Sequence, residues 1–179
     1  MPPPILAPTP CAGSVYRASS IQYFSRALST RGSREKTGRF NRKGLSALYC
    51  SFDAITAMAE YHRAGDARPC VVVAINLVAH NLIDLSCDPA LLDHDWAQWE
   101  ADWETARDAL DTDPLSDCPS WRCGDAVLNA NCSGLVFPSR FNPTGRNVCL
   151  FVDDAITGSL QWSPVDPNLE IMAANPVSL

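Results

Sequence analysis

The sequence predicts an α+β fold with mixed β-sheets and flanking helices, on three observations. A continuous apolar, β-branched run, Cys70-Val71-Val72-Val73-Ala74-Ile75-Asn76-Leu77-Val78, reads as a central strand buried on both faces. Helix-start signals stand at Ser51 or Asp53, at Asp88-Pro89 and at Ser120. The two kinds of element alternate irregularly, which favours a sheet carrying both strand directions over a regular βαβ repeat. A chain of 179 residues is long enough for one domain with a sizeable core and short for two.

In chain order, residues 1–12 form a flexible or extended lead-in, because five of the first ten residues, counting from Pro2 to Pro10, are prolines that fix φ and remove donors. A single domain is expected over residues 13–179. Ser14-Val15-Tyr16-Arg17 is a short opening strand. Residues 18–44 are polar, rich in serine, glycine and arginine, and without period, so a long functional loop is expected. Residues 45–50 make a short strand with Tyr49 near its end. A helix then runs to His62 or Arg63, with Ile55, Met58, Ala59 and His62 on its apolar face. Glu60 falls on the shoulder of that stripe, so periodicity alone makes it an exposed acid. Only a strand or loop packed over the shoulder turns it into a site residue.

Residues 81–85 predict a second short strand, and Asp88-Pro89 opens a helix carrying Trp96, Trp99 and Trp103 on one face, a stripe expected in the core. Ser120 caps a further helix that runs through Asn131, and strands are expected at 134–137, 147–153 and 159–162. Neither a Gly-x-Gly-x-x-Gly turn nor a Gly-Lys-Ser/Thr loop occurs, so neither a Rossmann nor a P-loop site is indicated.

Composition narrows the function classes. Hydrophobic residues make up 46% and charged residues 19%, as in an ordinary globular protein. No apolar run approaches the roughly 20 residues needed to span a bilayer. The N-terminal residues lack a basic start, so a cytoplasmic location without membrane contact is expected. The eight cysteines contain no Cys-x-x-Cys pair and the three histidines do not flank them, so neither disulfides nor a metal site is expected.

The net charge of −6 hides an asymmetry. Eight of the 14 basic residues lie between Arg17 and Lys43, and 11 of the 20 acids lie between Asp84 and Asp117. A basic segment in an acidic chain points to a local anionic ligand rather than to direct nucleic-acid binding.

The stretches that carry chemistry are Gly38-Arg39-Phe40-Asn41, Leu48-Tyr49-Cys50-Ser51, Ala59-Glu60 and Gly134-Leu135-Val136-Phe137-Pro138-Ser139. An arginine to hold phosphate, an aromatic to stack on a ring and a glutamate to face a developing cation suit cleavage of an N-glycosidic bond in a dinucleotide such as NAD. With Tyr16-Arg17 and Asn147-Val148-Cys149-Leu150-Phe151, these pieces occur in the order found in RES-domain proteins, which the chain resembles from about Val15 to Asp153.

The resemblance implies a fold like the ADP-ribosyltransferase toxins and a toxin of a bacterial toxin–antitoxin pair. Such proteins split nicotinamide from ADP-ribose and pass the sugar to phosphate or water. NAD is then a substrate, inorganic phosphate a possible co-substrate, and no cofactor is needed. By this likeness Arg39, Tyr49 and Glu60 are the catalytic set, and Arg17, Asn41 and Ser139 bind substrate. The implied partner is a cognate antitoxin with a DNA-binding domain of its own. Transfer of ADP-ribose to a macromolecule and non-catalytic dinucleotide binding stay open. One departure is visible: the family usually has two glycines before its arginine, and this chain has Thr37-Gly38. Threonine tolerates positive φ poorly, so the loop backbone is expected to differ there.

Overall fold

In the computed structural model, which describes residues 6–63, 68–87, 92–101, 103–110, 113, 115–152 and 160–165, six strands form one mixed sheet flanked by helices. The strands are β1 (Thr9–Ser20), β2 (Ala47–Ser51), β3 (Cys70–Asp84), β4 (Gly134–Pro138), β5 (Arg146–Phe151) and β6 (Leu160–Pro164). Their order is β1-β2-β5-β4-β3-β6, and β1 also pairs with β3. The β3–β4 pairing is parallel and the others are antiparallel, as the irregular alternation predicts.

The sheet closes through a single contact. β1 follows β3 over most of its length, but meets β2 at one residue pair, Tyr16 with Ser51. The paired strands bury both faces where they are central. Leu48, Val136, Val148 and Leu150 enter one cluster, and Ala47, Leu135, Phe137, Cys149 and Phe151 enter the other. Alternate residues of each strand point to opposite faces, so these strands read as uninterrupted apolar runs.

β3 departs from its expected form in two ways. It runs unbroken through residues 79–81 instead of stopping at Val78, because β1 pairs with it from Cys70 to Leu82 and holds it extended. It is also half exposed rather than buried on both faces, since Asn76, Val78 and His80 alternate outward.

The lead-in is shorter than expected. Leu6 is buried in the core cluster, and β1 begins at Thr9, five residues before the predicted strand. Pro10 is tolerated there because the pairing register shifts between Thr9 and Cys11, where a missing N–H breaks no ladder bond.

The region read as one long loop also carries structure. β1 extends to Ser20, and a 3-10 turn (Ile21–Arg26) and the short helix α1 (Arg31–Glu35) follow.

Helix α2 (Ala54–His62) starts at Asp53, whose carboxylate accepts from the Thr56 backbone N–H at 2.7 Å and from its hydroxyl at 2.6 Å. Its buried face is not the predicted stripe. Thr56 and Ala57 are buried, whereas Ile55 is 70% exposed. Packing across β1 rotates the helix so that the side bearing Ala57, Glu60 and Tyr61 faces inward.

The expected tryptophan helix divides. Its predicted start, residues 88–91, lies outside the described residues. The segment beyond forms α3 (His94–Ala97) and α4 (Trp103–Ala109). Trp96 and Trp99 join the core, but Trp103 does not, because the three sit on separate elements rather than one face.

Helix α5 (Pro119–Asn129) starts two residues earlier than predicted, with Cys118 rather than Ser120 at the N-cap position and Pro119 in its first turn. It packs closely on the loop before β2: a Cβ on Gly124 would lie 2.0 Å from the Phe40 carbonyl oxygen, so only glycine fits. All eight cysteines are free thiols. No helix among the described residues is long and apolar enough to cross a membrane.

Candidate active site

Where β1 and β2 part after the Tyr16–Ser51 pair, a cavity of about 960 Å³ opens, walled by both strands, by α2 and α4 and by the loops before β2 and after β4. Of the six residues singled out from sequence, Arg17, Arg39, Tyr49 and Glu60 line it. Asn41 and Ser139 do not line it.

Glu60 reaches the cavity from the inward side of α2. Its Oε1 accepts from the Ser139 hydroxyl at 2.7 Å and from Asn147 Nδ2 at 2.6 Å. Asn147 is itself fixed, its Oδ1 accepting from the Ser51 hydroxyl at 2.7 Å. Ser51, Asn147 and Ser139 are at most 8% exposed. One carboxylate oxygen is thereby locked by two donors brought from β5 and from the end of β4. These are the packed strand and loop that helix periodicity could not foresee. The second oxygen has no hydrogen-bond partner among the described residues.

Ser139 thus holds Glu60, and its oxygen has further work. It accepts from the backbone N–H groups of Phe141 and Asn142 at 3.2 and 3.0 Å, closing the turn after β4. This hydroxyl is a positioning group, placed one bond behind the carboxylate rather than at the cavity surface.

Asn41 is fully buried and organises the loop that carries Arg39. Its Nδ2 donates to the carbonyls of Ser33, Lys36 and Arg42, and its Oδ1 accepts from the Tyr49 hydroxyl at 2.9 Å. The Tyr49 oxygen in turn accepts from the Phe40 N–H at 3.0 Å. With its hydroxyl so engaged, Tyr49 presents its ring to the cavity, and burial pushes its pKa well above that of an ordinary phenol.

Gly38 completes this corner. A Cβ there would lie 2.5 Å from Asn41 Oδ1 and 2.9 Å from the Tyr49 oxygen. Thr37, the departure noted in sequence, does not carry the positive φ that would have strained it. The loop therefore needs glycine at the second position for space and not at the first for conformation.

Arg39 is half-buried, its guanidinium 5.5 Å from the Trp99 ring centroid. Burial draws its pKa down, opposed by the charges of Glu100 and Glu60 and reinforced by Arg140. Arg17 is partly tied to the protein, Nη1 donating to the carbonyls of Ala27 and Ser29 at 2.9 and 3.2 Å. Burial lowers its pKa too. Among the described residues no cluster of histidine, cysteine or carboxylate side chains is arranged to hold a metal ion.

Three residues escaped sequence reasoning. Asn147 had a usable signal, a strand-disfavoured amide opening an apolar strand, where burial demands polar partners. Trp103 and Arg140, both on the cavity wall, had none, because only packing decides which surface an α4 aromatic or a loop cation faces.

Fold and site together define a mixed-sheet α+β protein whose buried polar network and cationic side chains gather at one cavity. The sequence matches the RES domain over residues 14–169, and the chain belongs to that family. Among curated proteins nothing matches the sequence. Among solved structures it is similar to the M. tuberculosis MbcT-MbcA toxin-antitoxin complex, with a TM-score of 0.59 and 18% identity over 92% of this chain and 90% of that one. At that identity the likeness is one of fold.

Proposed function

We propose that this chain is a toxin-like enzyme that cleaves NAD at the nicotinamide–ribose bond, passes ADP-ribose to phosphate or water, and is kept silent by a cognate antitoxin. The observation that carries the reading is Glu60, held in the cavity by Ser139 and Asn147 with one carboxylate oxygen left over. Loss of nicotinamide leaves an oxocarbenium-like ribose, as in glycoside cleavage. A carboxylate already fixed beside that carbon stabilises the charge as it forms, with no reorganisation at the moment of reaction. Arg39, on the cavity's loop before β2, holds phosphate oxygens through charge-assisted hydrogen bonds. Tyr49 offers a ring face, since its hydroxyl is engaged by Phe40 and Asn41. The volume, about 960 Å³, accommodates a dinucleotide-sized ligand.

An antitoxin partner is supported by membership of the RES family and by the toxin–antitoxin complex whose fold the chain shares. Arg26, Arg34, Lys36 and Lys43 are exposed on the segment between β1 and β2, which also carries Arg39, whereas Arg42 is already paired with Asp117 and Asp125. An acidic or carboxylate-bearing segment of the partner would land there, with association that weakens as salt rises.

The test is direct. Purified protein incubated with NAD, with and without phosphate, is expected to release nicotinamide together with ADP-ribose or its 1″-phosphate on chromatography. Labelling of a macromolecule instead would redirect the reading to ADP-ribosyl transfer. Intact NAD after prolonged incubation of folded, partner-free protein refutes it.

A further inference from the structure

The cavity is far more cationic than the chain that builds it. Arg17, Arg39, Arg63, Arg107 and Arg140 line it against the carboxylates of Glu60 and Glu104, in a protein of net charge −6. Three of the guanidinium groups are answered from within. Arg17 is bonded to two backbone carbonyls, Arg63 pairs with Glu104 at 3.5 Å, and Arg107 pairs with Asp108 at 2.7 Å while lying over the Trp103 ring.

Arg39 and Arg140 have no bonded partner. Among the described residues neither makes a hydrogen bond or an ion pair; Arg39 lies over the Trp99 ring and feels the charges of Glu100 and Glu60 without bonding to either. Glu60 pairs with neither: its locked oxygen is bonded to Ser139 and Asn147, and its charge, like that of Glu100, reaches Arg39 only through space. Burial draws the Arg39 pKa down, the charges of Glu100 and Glu60 oppose it, and Arg140, lining the same cavity, adds to it. An exposed arginine is ordinarily just solvated. Two arginines that line one cavity, neither hydrogen-bonded nor ion-paired to a carboxylate, are an arrangement that an anion completes.

The backbone beneath Arg140 is fixed as well. The Ser139 hydroxyl accepts from the N–H groups of Phe141 and Asn142, and the Ser139 N–H donates to the Gly145 carbonyl at 2.9 Å. The turn that locks Glu60 therefore also fixes the backbone from which the exposed Arg140 projects.

We propose that Arg39 and Arg140 form a two-armed clamp for a phosphoryl anion, with Arg140 the second arm. The clamp's location follows from the two unbonded guanidinium groups that line the cavity, and only the naming of its source rests on the proposed function. That source is either the diphosphate of a dinucleotide or a free phosphate that accepts the sugar.

Thermal-shift titrations of the wild-type chain, Arg140→Gln and Arg140→Lys with ADP-ribose and with inorganic phosphate test this. Arg140→Gln is expected to raise the half-saturating concentration of at least one probe about tenfold or more, with Arg140→Lys in between, as for loss of a charge-assisted bond. Weakened ADP-ribose binding assigns the clamp to the diphosphate. Weakened phosphate binding alone assigns it to the acceptor. Unchanged half-saturation for both probes in Arg140→Gln, or no response of the wild type to either, overturns the clamp. Arg140-dependent binding by a protein that leaves NAD intact would keep the clamp and remove the catalytic reading.

Discussion

Replacing Glu60 by glutamine removes a charge while keeping the shape and most of the hydrogen bonding. The amide retains an Oε1 that can accept from Ser139 and Asn147, so the network around it stays assembled. What disappears is the negative charge facing the cavity. At about 4 Å from a developing ribosyl cation and an effective dielectric of about 20, that charge contributes ~4 kcal/mol. Such a term corresponds to roughly three decades in rate, and loss of one preorganised electrostatic group typically costs about 10²–10³. We therefore expect kcat for NAD cleavage to fall about 10²-fold or more in Glu60→Gln while NAD affinity stays within a few-fold. Initial rates of nicotinamide release, set beside calorimetric binding of NAD to the slow variant, separate the two quantities. Turnover at the parental rate would return Glu60 to the exposed acid that helix periodicity makes it. An equal loss of affinity and rate would make it a binding group.

Other expectations follow from the same network. Asn147→Ala leaves the Ser51 hydroxyl without its acceptor and Glu60 with a single donor, so kcat should drop about tenfold and stability by about 1–3 kcal/mol in urea denaturation. Unchanged kinetics in a destabilised Asn147→Ala would confine that residue to folding. Asn41→Ala strips the Arg39 loop of its buried hydrogen bonds, and a stability loss of about 2–3 kcal/mol is expected, with a raised KM for NAD.

Burial raises the thiols of Cys50 and Cys123 to about 12 and lifts Tyr49 well above its usual value. Unfolded thiols ionise near pH 9 and these do so only much higher, so the unfolded state binds fewer protons in that window. Stability should then be intact below about pH 9 and decline as pH rises towards 12, which melting temperatures across that range would reveal. At the acid end the sign reverses. Hydrogen bonds from Thr56 hold Asp53 low and those from Arg122 hold Asp95 low, so their contributions are present above the ordinary carboxylate range and fade as pH falls through it.

Sequence by itself determined the elements that local rules govern. The β-branched run of β3, a cap at Ser51 or Asp53 for α2 and the apolar stretches of β2, β4 and β5 were each legible, because strand-forming runs and capping depend on neighbours in the chain. The motif order also pointed to Arg39, Tyr49, Glu60 and Arg17, all of which reach one cavity.

Tertiary structure alone decided which way those side chains turn and what they touch. α2 rolls on β1 so that its inward side carries Glu60 rather than Ile55, a choice made by strands distant in sequence. Asn147 meets Glu60 across 87 residues and Ser139 across 79, separations at which no helical or strand period survives. Ser139 and Asn41 stand behind the cavity for the same reason: a hydroxyl or amide of either role looks identical in sequence, and only its hydrogen-bond partners distinguish holding a neighbour from holding a ligand. The single Tyr16–Ser51 pairing is the clearest case, since the parting of β1 from β2 that opens the cavity is a property of the closed sheet and of neither strand.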